Sequence, residues 1–146
     1  MKNLSTALTL WANRMLVLTV AGLACGMPRL LRWYNRFRPL EDKTNLALLI
    51  GFYLCVPIVL FALYNLEKIL HNIRSGEVFV RSNVRMIRRV CGCCLLVSLV
   101  CLPVSVHYQP LIFLSVIMAF LCPVVNVVRY VFDAAVTIRE ENDLTI

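Results

Sequence analysis

Two adjoining stretches decide the fold: Leu46–Leu66, LALLIGFYLCVPIVLFALYNL, and Glu67–Arg89, EKILHNIRSGEVFVRSNVRMIRR. The first is a run of 21 uncharged residues. A helix rises about 1.5 Å per residue, so such a run matches the roughly 30 Å hydrocarbon core of a bilayer. The second is polar and holds six of the fifteen Lys and Arg residues. An apolar run that stops against a basic segment reads as a membrane span leaving the bilayer. Leu63, Leu66, Ile69, Leu70 and Ile73 keep a spacing of three and four across that boundary. The spacing predicts that the helix continues past the membrane until Ser75-Gly76 stops it.

Working outward, the whole chain of 146 residues is 60% hydrophobic and 16% charged. A soluble domain is nearer about 45–50% and about 25%. The apolar residues come in blocks rather than at amphipathic spacing, which excludes an ordinary soluble fold. A net charge of +7 could point to nucleic acid, but the cations cluster just outside the apolar blocks. There they serve as topology determinants and contacts for anionic lipid headgroups, so no direct nucleic-acid binding is expected. Seven cysteines (Cys25, Cys55, Cys91, Cys93, Cys94, Cys101, Cys122) all lie in or beside apolar runs. A secreted disulfide scaffold would place them in polar loops, so reduced, buried thiols are expected.

The reading is an all-α, polytopic integral membrane protein, one domain over residues 1–146, with spans at about 8–27, 46–66, 90–106 and 111–132. A helix-turn-helix-like connector, 67–89, joins spans two and three, and residues 133–146 form a tail whose helix runs on to about Glu141. The first span is the least regular, because Met15–Met27 is too short and the extension back to Leu8 encloses Arg14. A central Arg costs about 2.5–3.5 kcal/mol, so Arg14 should reach the interface or find a carboxylate. Glu67 and Asp133, at span ends, are the candidates for a structural ion pair. A signal peptide ending at Gly22-Leu23-Ala24-Cys25 is the competing reading; it lacks the usual aliphatic residue three before the cysteine. Pro28–Thr44 reads as a polar connector punctuated by Pro28 and Pro39, either solvated or lying in the headgroup layer. Phe52–Pro57 echoes Phe120–Pro123, consistent with a duplicated hairpin or with chance.

Four spans put both termini on one side. The positive-inside rule places Glu67–Arg89 in the cytoplasm, and Lys2, Arg14, Arg129 and Arg139 join it there. Arg29, Arg32, Arg36, Arg38 and Lys43 then lie outside, a basic minority. The expected location is therefore a cell membrane, with N- and C-termini cytoplasmic.

Little chemistry is written in the side chains. Cys91 and Cys94 share a helix face, but Cys93 points elsewhere and neither His71 nor His107 is near, so packing or acylation is expected rather than a metal site. No nucleophile set, paired carboxylates at membrane depth or phosphate loop is present. The chain is expected not to be an enzyme and to need no cofactor. Ser82 or Asn83 is placed to cap the helix entering span three, and an acidic neighbour would favour that terminus. The tail residues Glu140, Glu141 and Asp143 are expected to dock on Arg81, Asn83, Arg85, Arg88 and Arg89.

Two motifs carry a family resemblance. The closing Glu140-Glu141-Asn142-Asp143-Leu144-Thr145-Ile146 resembles the end of a bacterial membrane family, domain-of-unknown-function family 2975. Ile69-Leu70, Ile73, Ser75-Gly76, Phe79 and Asn83-Val84 resemble its connector. The resemblance covers about Leu46–Ile146; Asp133-Ala134-Ala135 departs from the glycine-containing turn more usual there. It implies a four-helix protein of the bacterial cell membrane whose members often sit beside small helix-turn-helix regulators. The function expected is a regulatory or adaptor platform for a soluble cytoplasmic partner of that kind. The alternative is a subunit of a homo-oligomeric transporter or channel.

Overall fold

Three short breaks divide the chain into four long helices, and each break has a chemical cause. A computed structural model describes residues 2–143, with side chains described for 7–142. The helices are α1 Lys2–Phe37, α2 Asp42–Arg74, α3 Arg81–Ser105 and α4 Pro110–Asp143. They hold 36, 33, 25 and 34 residues, or about 54, 50, 37 and 51 Å of helix. All four contain stretches long and apolar enough to cross a membrane.

Pro39 sets the first break, and two asparagines tie it. Asn35 Nδ2 donates to Asn45 Oδ1 at 3.0 Å, Asn35 Oδ1 accepts from the Leu40 amide, and Asn45 Nδ2 donates to the Leu40 carbonyl. The second break is a Schellman turn. Gly76 takes φ +84°, its amide bonds the Ile73 carbonyl at 3.1 Å, and the Glu77 amide reaches back to Asn72 at 3.0 Å. Only glycine adopts that backbone cheaply, so Ser75-Gly76 stops α2 where the sequence predicts. The third break, at His107–Gln109, gives way to Pro110, which suits the first position of a helix.

Pro28 does not break α1, contrary to the connector expected over Pro28–Thr44. The helix runs through it to Phe37. A proline inside a helix frees the carbonyl four residues earlier, here Ala24. Tyr53 on α2 donates its hydroxyl to that carbonyl at 2.9 Å. The freed acceptor is satisfied from the neighbouring helix, so the α-helical ladder loses nothing it must recover from water.

The short turns make successive helices antiparallel. Close backbone approach occurs between α1 and α2, α2 and α3, and α3 and α4, and among the described residues between no other pair. The result is an open row of helices rather than a closed bundle. Where α2 and α3 meet, a Cβ on Gly51 would lie 2.8 Å from a Val104 methyl, so this crossing requires the missing side chain.

Burial is inverted relative to a soluble protein. Asn65 and Asn83 are the most enclosed large side chains, at 1% and 0% exposure, whereas Leu18, Phe113 and Phe120 are 66%, 72% and 66% exposed. Exposed apolar surface on that scale is unsustainable in water and is ordinary against lipid tails. Helix contacts in lipid rely on small residues and hydrogen bonds. Accordingly Ser98 and Ser115, buried between α3 and α4, exchange hydroxyl-to-carbonyl bonds of 2.9 and 3.0 Å. Cys91 and Cys122 place their sulfurs 2.9 Å apart on the same pair of helices. This is the pattern of a multi-pass membrane protein.

Candidate docking platform at the connector end

The row places the C-terminal turns of α2 and α4 and the first turns of α3 at one end, with the 75–80 turn between them. Three kinds of contact fix this end. The first is apolar: Ile69, Met86 and Ile87 are buried together, with Ile73, Val125 and Phe132 packed against them. Phe79 leaves the turn and sets its ring 5.9 Å from that of Phe132 on α4.

The second is Asn83. It does not cap α3, as the sequence led one to expect. The N-cap is Val80, in extended backbone, and no side chain caps the helix. Asn83 instead points back into the turn. Its Nδ2 donates to the carbonyls of Glu77 at 3.0 Å and Val78 at 2.9 Å, and its Oδ1 accepts from Asn72 Nδ2 at 2.7 Å. A capping residue sits at the N-cap itself, whereas Asn83 lies three residues further on and is buried under the turn, where it acts as a clamp. At zero exposure it is no surface contact for a partner.

The third is electrostatic. Arg81 Nε and Nη2 grip the Glu140 carboxylate in a fork, with the shortest bond 2.6 Å. Those bonds hold the Glu140 carboxyl below its ordinary range and push the Arg81 guanidinium up. Both are solvent-facing, so the pair fixes geometry more than it stabilises. The segment 133–143 is therefore helix, not a loose tail.

Of the other tail residues, the Asp143 side chain lies outside those described. Arg85, Arg88 and Arg89 are exposed, and among the described residues no carboxylate forms an ion pair with them. Arg81, Arg85, Arg88 and Arg89 recur at spacings of three and four, one stripe along the start of α3. Asn83, Met86 and Ile87 are buried on the opposite side. α3 thus begins as an amphipathic helix with its basic face outward.

Arg14 Nε meets Glu67 Oε1 at 3.1 Å, joining α1 to α2. Asp133 is not its partner. It is exposed on α4, and among the described residues the backbones of α1 and α4 do not come close. Beside this pair, Asn13 is 2% exposed and donates to the Leu63 carbonyl at 3.3 Å. The sequence reading missed Asn13, Asn35, Asn45, Asn65 and Asn72. Their signal was available: amides recurring next to helix ends and span boundaries, where unpaired backbone groups collect.

Among the described residues no group of three or more His, Cys, Asp or Glu side chains converges as a metal site would require. Cys91 contacts Cys122 rather than the neighbouring thiols of its own helix, a pairing across helices that spacing along one helix could not show.

Against known proteins, a family model described as a protein of unknown function (DUF2975) matches residues 12–146. The match takes in most of α1 as well as the connector and closing motifs. No curated protein and no solved structure matches. Covering all but the first residues, the match places this chain in the DUF2975 family of proteins of unknown function.

Proposed function

We propose that the protein is an integral membrane adaptor whose connector end docks a soluble cytoplasmic partner through an acidic surface. The observation that carries this reading is the outward stripe Arg85, Arg88 and Arg89, set on a scaffold braced by the Arg81–Glu140 fork and the Asn83 clamp. The intramolecular carboxylate is spent on Arg81, which leaves the adjoining guanidinium groups for something else. Arginine recognises carboxylates through a planar fork, so a partner with clustered Asp or Glu fits. The positive-inside balance supports a cytoplasmic position for this end, and a small helix-turn-helix regulator is the partner class in keeping with the family resemblance. The polar groups within the spans favour this role over a transport role, since Ser98 and Ser115 are consumed in a helix contact rather than lining a path.

A photoreactive residue at the exposed Glu77 should cross-link a soluble acidic protein in native membranes. The adduct should disappear in an Arg85→Gln/Arg88→Gln variant that keeps its membrane level and melting temperature. Undiminished cross-linking by that variant, or solute flux through reconstituted protein, would replace this reading with another.

A further inference from the structure

A second polar surface lies away from the platform, between α1 and α2. On α2, Tyr64, Glu67, Lys68, His71 and Arg74 recur at three- and four-residue spacings and so face one way. Opposite them stand Leu10 and Arg14 of α1, and the two faces enclose a groove of about 340 Å³. Its charges are three cations, Arg14, Lys68 and Arg74, against one carboxylate, Glu67. Glu67 is bonded to Arg14 at 3.1 Å, so Lys68 and Arg74 are left to face an anion. Lys68 sits 5.8 Å from the centre of the Tyr64 ring, which orients its ammonium over the groove wall.

Depth in the membrane identifies the anion. Arg14 and Glu67 are the first charged residues met on leaving the uncharged runs Met15–Met27 and Leu46–Leu66. The groove therefore lies at the level where lipid phosphates lie. Trp11 and Tyr64, 65% and 59% exposed, flank it as interfacial aromatics do. Immediately deeper on the same helix faces, Leu18 and Phe61 are exposed apolar surface. A basic pocket between spans, continuous with an apolar strip, fits a molecule with a phosphate head and acyl chains.

We propose that this groove binds a phosphate group, supplied by the headgroup of an anionic phospholipid, with Lys68 and Arg74 as its principal ligands and Arg14 held in place by Glu67. The site is independent of the platform on α3 and α4.

The test uses the full chain in phosphatidylcholine nanodiscs or micelles, with thermal unfolding and native mass spectrometry as readouts. Phosphatidylglycerol should raise the melting temperature and remain bound as a one-to-one adduct. Lys68→Gln/Arg74→Gln should melt as wild type in phosphatidylcholine alone, yet bind phosphatidylglycerol about thirtyfold more weakly, the loss expected for two interfacial cations. Arg85→Gln/Arg88→Gln, with the same change in net charge, should keep the response. An equal response in the Lys68/Arg74 and Arg85/Arg88 variants would overturn the site in favour of diffuse attraction. A shift from inorganic phosphate alone, lost in the Lys68/Arg74 variant, would keep the phosphate site and overturn its lipid source.

Discussion

Pro28 removes one N–H from α1, and Tyr53 on the adjacent helix returns a hydroxyl to the Ala24 carbonyl that the proline leaves open. The coupling is testable as a double-mutant cycle. Tyr53→Phe should cost about 1 kcal/mol in detergent unfolding, the scale of interhelical hydrogen bonds in membrane proteins. In a Pro28→Ala background the helix supplies its own N–H to Ala24, so the same change should cost almost nothing. Equal losses in both backgrounds would disconnect the two residues. Asn83 poses a similar question in the turn, where one amide group serves two carbonyls and one amide donor. Asn83→Ala should destabilise by about 2 kcal/mol, within the range for leaving buried polar groups unpaired, and open 75–80 to protease. Asn83→Asp keeps the size and loses the donor, so it should be as damaging; wild-type melting of that variant would contradict the clamp.

At the scale of elements, every neighbouring helix pair is joined by polar contacts as well as by apolar packing. Asn13 and Tyr53 join α1 to α2, Asn72 and Asn83 join α2 to α3, and Ser98 with Ser115 joins α3 to α4. The outermost α3–α4 tie is the Arg81–Glu140 fork, and it is the one that pH can release. Glu140 is held below the usual carboxylate range by the Arg81 bonds. Its contribution is therefore complete above the ordinary glutamate range and is lost as pH falls through the lowered value. Spin labels at Glu77 and Asn142 should report a fixed separation at neutral pH that broadens in acid. In Glu140→Gln the separation should be broad already and insensitive to pH over that interval. A wild-type separation unchanged in acid would mean that the apolar contact of Phe79 with Phe132 suffices alone.

For the whole molecule, the open row means that among the described residues α1 makes close backbone contact with α2 and α4 with α3. Orientation in the bilayer is set by charge at the ends of the spans. The expected topology has the 75–80 turn and both termini on the cytoplasmic side. With the native cysteines replaced by alanine or serine, Gln109→Cys should react with an impermeant maleimide in intact cells, and Ser75→Cys only after permeabilisation. The reverse labelling would invert the topology and place the basic stripe of α3 outside.

Some of this was legible in the linear chain because it depends on local chemistry. Three uncharged runs, and a fourth apolar segment that takes in Arg14, dictate four spans, since an unpaired backbone cannot cross hydrocarbon except as helix. Ser75-Gly76 dictates the stop of α2, since only glycine enters the left-handed region cheaply. The basic spacing of Arg81, Arg85, Arg88 and Arg89 dictates one charged face of a helix. Other features depend on which helix lies beside which, and apolar runs carry no label of their partners. That Pro28 is tolerated was decided by Tyr53 across the helix pair, and that Asn83 clamps rather than caps was decided by Asn72 and the turn carbonyls. The choice of Glu67 over Asp133 for Arg14 was decided by the order of the row, which keeps α4 out of reach of α1. The sequence by itself determined the number of helices and the stop of α2, because burial in lipid and a glycine turn act on each segment separately. Only the tertiary structure decided which polar groups meet, because hydrogen bonds and ion pairs act over a few ångströms between segments far apart in the chain.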